Sequence, residues 1–345
     1  MKYPSVQLAN QITVEVVAYS TNERRTAKVV TFAFEYPRFI HAELMTHRVF
    51  SRNAASSRAV PVKALVDMVY NRPAMPTHWG KNQPGMSAKE ECNNPVEVLP
   101  NVFLPREQAW QYGASFAGNL ALAFDKAGYH KQIVNRLTEP FQRFRVIVTT
   151  TELDNFLHLR NHEEAQPEIQ KVAQGVANIL GYVDDGLETL LEKATPEVLH
   201  PGEYHTPYVD HDRDEEGTLR YYVQSESGPF YLTLTEAMKI SSSCAAQVSY
   251  RKLDDSIDKA ESVYHRLVTS QPVHASPFEH QCTPMGLDCF DLENPQQQAL
   301  MLEVLQHPGV THVDNKGRIW SGNFCGFIQH RQLIPNHVCN SYVPS

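Results

Sequence analysis

The chain has 345 residues, 42% of them hydrophobic and 20% charged, and a net charge of −8. This is the composition of a soluble globular protein with one large domain or two ordinary ones. The acidic balance argues against general nucleic-acid binding and leaves a local basic pocket for a small anionic ligand as the better expectation.

Residues 1–17, MKYPSVQLANQITVEVV, hold Gln and Asn where a secretion signal needs an apolar run, so no signal is read there. ITVEVVAY (12–19) and AKVVTFAFEY (27–36) are rich in β-branched and aromatic residues, and the polar STNERR between them predicts a hairpin-like strand pair. Pro37 ends the second strand and opens a helix over RFIHAELMTH (38–47). The polar run MTHRVFSRNAASSRAVP (45–61) follows, then a short helix, VKALVDMVY (62–70). Residues 71–105 carry six prolines and read as a long functional loop. A helix is predicted over 106–127 with Gly128 as its cap, and a short one over HKQIVNRL (130–137). FRVIVTTT (144–151) reads as a strand. ELDNFLHLR (152–160) reads as a helix with Leu153, Phe156, Leu157 and Arg160 on one face. A longer helix is expected over 166–193. Residues 195–232 are loop-rich and acidic (VDHDRDEEG) and read as a linker or lid.

Helices over 233–249 and 254–270 precede HASPFEH (274–280), where proline excludes a helix interior. An amphipathic helix is expected over 295–306, and IWSGNFCGFIQHRQLIP (319–335) comes near the end. No run approaches the about 18 apolar residues of a membrane span. The six cysteines are dispersed and form no C-x-x-C, which argues for reduced thiols in a cytoplasm and against a disulfide framework or zinc ribbon.

The run 45–61 carries the clearest chemistry. Arg48, Arg52 and Arg58 supply charged donors, and Ser51, Asn53, Ser56 and Ser57 supply neutral ones. Arginine forks suit phosphate oxygens, and hydroxyls fill the remaining acceptor sites. Neither a G-x-x-x-x-G-K-[ST] nor a G-x-G-x-x-G occurs, so neither a P-loop nor a Rossmann fingerprint accounts for an anion site. Taken alone, the run also fits a solvated surface helix. Arg160 alone fits a snorkelling rim residue, and His280 a core histidine. Glu279 and His280 lack the companions a metal site needs, so no metal is read.

Together the motifs resemble the flavin-dependent thymidylate synthases. That family carries Arg-His-Arg, a seven-residue gap, then Ser and, two residues on, Arg; here THR (46–48) is followed by VFSRNAA and then Ser56, Ser57 and Arg58. NRLTEP (135–140) is similar to the family's Ala-Arg-x-x-Leu-Pro. NFLHLRNHEEAQPEI (155–169) matches its Asn-Phe-Leu-x-Leu-Arg helix and Ala-Gln-x-Glu-Ile. AAQVSY (245–250) and SPFEH (276–280) match Ala-Arg-Val-Ser-Tyr and Ser-Pro-Phe-Glu-His. By motif the resemblance covers roughly half the chain, in three blocks. The last two elements precede the His-Arg motif in the family but follow it here by about 200 residues. The chain therefore looks circularly permuted or partly duplicated, and FIQHR (327–331) echoes Trp-Phe-Arg-His-Arg a second time, with Gln329, His330 and Arg331 as candidate residues.

The resemblance implies an α+β fold, a mostly antiparallel twisted sheet with packed helices. A first half, 1–194, would join a second half, 233–345, through the acidic connector 195–232 into one catalytic unit. It implies FAD-dependent reductive methylation of dUMP at C5 to give dTMP, with NADPH and 5,10-methylenetetrahydrofolate as co-substrates. It implies a cytoplasmic homo-oligomer, dimer or tetramer, with sites where subunits meet. His47, Arg48, Asn53, Asn155 and His280 match flavin-contacting residues. Glu43, Ser56, Ser57, Arg58 and Arg136 match nucleotide-binding positions, with Arg58 on the phosphate. Arg160 matches the arginine that stabilises the uracil ring as N3 loses its proton, and Arg160 and Ser56 are the catalytic candidates.

Departures bear on the substrate. Thr46 replaces the first Arg of the motif, Ala54 a Glu, Ala59 a Tyr and Glu43 a Gln, and Thr149-Thr150-Thr151 replaces an Asn-x-Arg. A carboxylate only accepts hydrogen bonds, so Glu43 suits a ring edge richer in donors, such as cytosine. Methylation or hydroxymethylation of another pyrimidine nucleotide such as dCMP is one alternative. A flavin- or nucleotide-binding homologue without turnover is another. No cysteine sits in the Pro-Cys-His setting of the other thymidylate synthase class, so covalent cysteine catalysis is not expected.

Overall fold

The computed structural model describes residues 3–8, 11–182, 193–248, 253–269 and 271–341. In chain order, β1 (Ser5–Gln7), β2 (Thr13–Asn22) and β3 (Lys28–Pro37) open the main sheet. After Pro37 a 3₁₀ turn (Arg38–Ile40) leads into α1 (His41–Met45), then β4 (Ser51–Ala54) and α2 (Val62–Asn71). The hairpin β5 (Val96–Leu99) and β6 (Val102–Leu104) precedes α3 (Arg106–Lys126) and α4 (Lys131–Val134). A 3₁₀ helix (Asn135–Phe141), β7 (Arg143–Thr150), α5 (Asp154–Arg160), α6 (Pro167–Leu180) and β8 (Glu197–Leu199) come next. Then follow β9 (Asp210–Arg213), β10 (Leu219–Ser225), β11 (Gly228–Leu232), α7 (Leu234–Ala246) and α8 (Ile257–Tyr264). A 3₁₀ turn (Ser276–Glu279), β12 (Cys282–Pro284), α9 (Pro295–Val304), β13 (His312–Val313), β14 (Ile319–Ser321), β15 (Phe324–Cys325) and β16 (Phe327–Gln329) complete the order. The class is α+β. Every described strand pair is antiparallel except β2 with β8. No described helix is long and apolar enough to cross a membrane.

The main sheet runs β1-β2-β3-β7-β4, with β8 on β2. β3 reads as an almost unbroken apolar run because both of its faces are covered. Val30, Phe32, Phe34 and Tyr36 face a core shared with Ile169, Val172 and Val176 of α6. On the opposite face Val29 packs against Cys282, Phe324 and Phe327. The second half of the chain thus lies against the sheet, which places the SPFEH and FIQHR segments behind the strand that carries the polar run. α6 has local reasons to begin and end: the Gln166 side chain caps Glu168 N and Ile169 N, Pro167 stands at its first turn, and Gly181 at φ 74° stops it. Gly175 lets α6 approach the sheet, since a Cβ there would lie 2.8 Å from Val14 Cγ2.

The structure corrects several expectations. Residues 195–232 are not loop alone: they hold β8 and the sheet β11-β10-β9, which packs on α7 through Leu219, Tyr221, Leu232, Ala237 and Ile240. The helix expected over 166–193 ends at Leu180, and residues 183–192 lie outside the described residues. The 71–105 segment ends in the β5–β6 hairpin. HKQIVNRL is one α-turn continued as a 3₁₀ helix. RFIHAELMTH is likewise a 3₁₀ turn before a five-residue helix. α9 has no fully buried residue and packs only through partly buried side chains such as Met301 and Val304.

Candidate functional site

β4 is the meeting point. It pairs with β7 from Ser51↔Thr149 to Ala54↔Val146, and the polar run continues from it into the Ser56–Arg58 turn. Three clusters of polar side chains gather around it.

The first joins α1 to α5. Arg160 Nε donates to His47 Nε2 at 3.0 Å, and its Nη2 donates to Thr46 Oγ1 at 3.1 Å. Thr46 Oγ1 in turn donates to Glu43 O at 2.6 Å, so Thr46 in place of an arginine becomes an acceptor for one. His47 is buried, edge-on to Phe156 with ring centroids 5.0 Å apart. Burial, with the Arg160 and Arg52 cations beside it, pushes its pKa down to about 4. His47 is therefore neutral at pH 7, its Nε2 lone pair committed to Arg160 and its proton on Nδ1. Arg52 is not aimed at a ligand; its Nη1 donates to the carbonyls of His47 (2.8 Å) and Met45 (3.2 Å) and fixes the end of α1. Glu43 Oε2 is shielded from solvent and has no hydrogen-bond partner among the described residues.

The second cluster gathers around Glu139. Ser57 Oγ (3.2 Å), Arg136 Nη1 (2.9 Å) and Arg38 Nη2 (2.9 Å) all reach its Oε1. Asn135 Nδ2 holds the turn by donating to Ser57 O at 2.6 Å and Val60 O at 3.0 Å. Beside this point opens a cavity of about 370 Å³ whose wall includes Arg38, Arg72, Arg143, Arg145, Ser56 and Ser57. Glu35 partly balances it, 2.7 Å from Arg143 and 3.5 Å from Arg72. Arg38 and Arg145 are paired too, with Glu139 at 2.9 Å and Glu15 at 3.9 Å, so an anion entering this wall of guanidinium groups would compete with carboxylates for its donors.

The third cluster ties the late segments to β4. β12, directly after SPFEH, pairs with β16, which carries the FIQ of FIQHR, in the register Cys282↔Gln329. Buried Gln329 lends Nε2 to Ser51 Oγ (3.0 Å), Asn323 Oδ1 (2.9 Å) and Glu279 O (3.2 Å). Arg331 is bonded to the Glu279 carboxylate, and Asn53 Nδ2 donates to Ala245 O at 3.3 Å. The AAQVSY, SPFEH and FIQHR segments thus all reach β4; Ser249 and Tyr250 lie outside the described residues.

His280 is fully buried and sits at the end of a hydrogen-bonded chain through the sheet. Its Nδ1 meets Thr149 Oγ1 at 2.8 Å, Thr149 meets Thr31 at 2.7 Å, Thr31 meets His205 Nε2 at 2.8 Å, and His205 Nδ1 meets Ser20 Oγ at 2.8 Å. Burial pushes both histidines down to about 3. His280 Nε2 and His330 Nδ1 are shielded and without a partner among the described residues.

The structure therefore brings His47 to Arg160, Ser57 to Arg136, and Gln329 and Arg331 to Glu279. It leaves Arg48, Arg58 and Asn155 on the surface. It walls His280 off behind Thr149, away from the surface that holds Arg48 and Asn155. Reading the sequence missed Arg38, Glu139, Arg143 and Arg145. A signal for the last two exists: Arg143 and Arg145 alternate with Phe144 and Val146 on one strand, which puts both cations on one face. No family model matches the chain, and no curated protein gives a significant match.

Proposed function

We propose that the chain is a flavin-dependent thymidylate synthase-like enzyme that methylates dUMP at C5 to give dTMP, with 5,10-methylenetetrahydrofolate as the one-carbon donor and NADPH as the reductant. The observation that carries this reading is the convergence on β4: segments separated by up to 278 residues that resemble motifs of that family, FIQHR repeating one of them, meet around Ser51 and His47.

Each role follows from what the side chain can do. Arg160 is fixed by His47 and Thr46, so its charge is held in place before reaction. A fixed guanidinium beside a uracil ring stabilises the anion that forms as N3 loses its proton, and it does so without reorganising during the step. Ser56, Ser57, Arg58 and Arg136, with Arg38, supply donors for the nucleotide phosphate. The exposed donors Arg48, after α1, and Asn155, on α5, would hold FAD through its phosphate and ring polar atoms, while Asn53 is turned to Ala245 O. When bound, FAD carries the hydride between NADPH and the one-carbon unit. His47 takes part as the neutral acceptor that orients Arg160.

Arg48, Arg58 and Asn155 point outward, which fits a site completed by a second copy. Tyr112, Phe116 and Leu120 repeat every four residues along α3 and are 42%, 63% and 38% exposed, an apolar stripe of the kind subunit contacts cover. One observation favours a second reading, dCMP as substrate: Glu43 Oε2 is a shielded acceptor without a partner among the described residues, and an exocyclic amine would donate to it. The test is release of tritium from C5-labelled dUMP and dCMP, side by side, with FAD, NADPH and methylenetetrahydrofolate. Release from dUMP that requires all three supports the proposal, release from dCMP alone transfers it to the second reading, and release from neither removes both.

A further inference from the structure

Arg38, Ser57 and Arg136 come from three different chain segments, yet their donors meet on a single oxygen, Glu139 Oε1, at 2.9, 3.2 and 2.9 Å. Two guanidinium groups and a hydroxyl on one oxygen is the donor set a phosphoryl oxygen takes. A structural purpose accounts for part of it: Arg38, 18% exposed, ties its turn to Glu139, whereas Arg136 is 56% exposed, and an exposed ion pair contributes little to stability. Arg38 and Ser57 also line the arginine-walled cavity, so this point lies at its edge. In the Ala-Arg-x-x-Leu-Pro pattern that NRLTEP resembles, the position of Glu139 holds an apolar leucine.

We propose that Arg38, Ser57 and Arg136 form a subsite for one oxygen of a ligand phosphate, and that the Glu139 carboxylate is its resting occupant. The inference rests on the nucleotide reading above and adds a specificity-determining residue to it. Glu139 satisfies the three donors while the site is free of ligand. A phosphate dianion gains them only by displacing it, through rotation of the Glu139 side chain. A weak or singly charged anion competes poorly with a tethered carboxylate, so Glu139 sets the threshold for entry and selects dianionic phosphate.

The experiment is calorimetric titration of the full chain, of Glu139→Gln and of Glu139→Asp with inorganic phosphate, dUMP and deoxyuridine at fixed ionic strength. Glu139→Gln keeps the shape and removes the charge, whereas Glu139→Asp keeps the charge. Phosphate and dUMP should bind Glu139→Gln about tenfold tighter or more, Glu139→Asp should stay near the parent, and deoxyuridine should not respond. Equal or weaker phosphate binding by Glu139→Gln, equal shifts in both variants, or no phosphate binding to any of the three overturns the inference. If dUMP binds the parent but Glu139→Gln gains nothing, the inference fails and the nucleotide reading stands. If phosphate tightens and dUMP binds no better than phosphate alone, the subsite stands and the nucleotide reading fails. Thermal melts of the three proteins check that each is folded.

Discussion

Arg160 Nε donates to His47 Nε2 at 3.0 Å across 113 positions of sequence. The pair fixes three things at once: the neutral state of the histidine, its tautomer, and the direction in which the guanidinium charge points. Arg160→Lys keeps the charge but cannot serve His47 and Thr46 together. We expect kcat/KM to fall about 100-fold or more with little change in folding stability. A KM-only effect in steady-state kinetics would instead make Arg160 a binding residue.

Acid should destabilise the fold in a defined window. His47 and His330 are held at about 4, and His205 and His280 at about 3, all by burial first. The unfolded chain binds these protons near pH 6.5 and the folded chain does not, so the stability they support is present above pH 6.5 and is lost as pH falls from there towards 4 and then 3. At pH 5 the loss is on the order of 1–2 kcal/mol per histidine, a large share of a typical total. Denaturant midpoints that stay level between pH 7 and pH 5 would contradict this assignment.

One contact between the two halves of the chain runs from Gln329 to Ser51. Gln329→Leu strips donors from Ser51, Asn323 and Glu279 O in a buried place, and should cost about 1–3 kcal/mol. Paired with Ser51→Ala in a double-mutant cycle, it should show a coupling of about 0.5 kcal/mol or more. Strict additivity of the two changes would mean that the contact is incidental.

Thr149 stands in the middle of the buried chain from Ser20 to His280. Thr149→Val preserves volume and removes the hydroxyl, leaving Thr31 and His280 each short of a partner, for a loss of about 1–3 kcal/mol. Adding Thr31→Val also takes the partner of buried His205 Nε2, so the double variant should lose about 1–3 kcal/mol more, with only the shared Thr31–Thr149 bond counted once. Urea titrations of the single and double variants measure both numbers.

Glu43 decides between nucleotides if the second reading is right. Glu43→Gln offers a donor as well as an acceptor, so the ratio of dUMP to dCMP turnover should rise by about tenfold or more. An unchanged ratio would show that Glu43 does not read the base.

Much of the frame was legible. The β2–β3 hairpin follows from two β-branched runs around STNERR, and Thr233 with Glu236 begins α7 as a capping box. The strands in 195–232 were hidden because their exposed faces carry Asp, Arg and Gln, so Leu219 and Tyr221 alternate within a stretch that reads as charged. Their turns, at Asp214–Gly217 and Ser225–Gly228, look like loop for the same reason. In the site, single residues were legible and partnerships were not. Arg160 stood out at the end of an apolar helix face, but nothing in the spacing links it to His47. Glu139 reads as an ordinary surface carboxylate until Arg38, Ser57 and Arg136 are brought around it. His280 reads alone as a core histidine and by resemblance as a flavin contact, and Thr149 receives it inside the sheet. Pairing across long sequence separations is a property of the packed fold, and local pattern carries no trace of it.

The central claim is that this chain is a flavin enzyme acting on a pyrimidine nucleotide. The most direct measurement is anaerobic reduction by NADPH of the protein loaded with FAD, followed at the oxidised flavin band near about 450 nm, with and without dUMP. The account predicts that FAD is retained and that the band bleaches faster when dUMP is present. A protein that cannot be loaded with FAD, or a bleaching rate indifferent to dUMP and to dCMP, would contradict it.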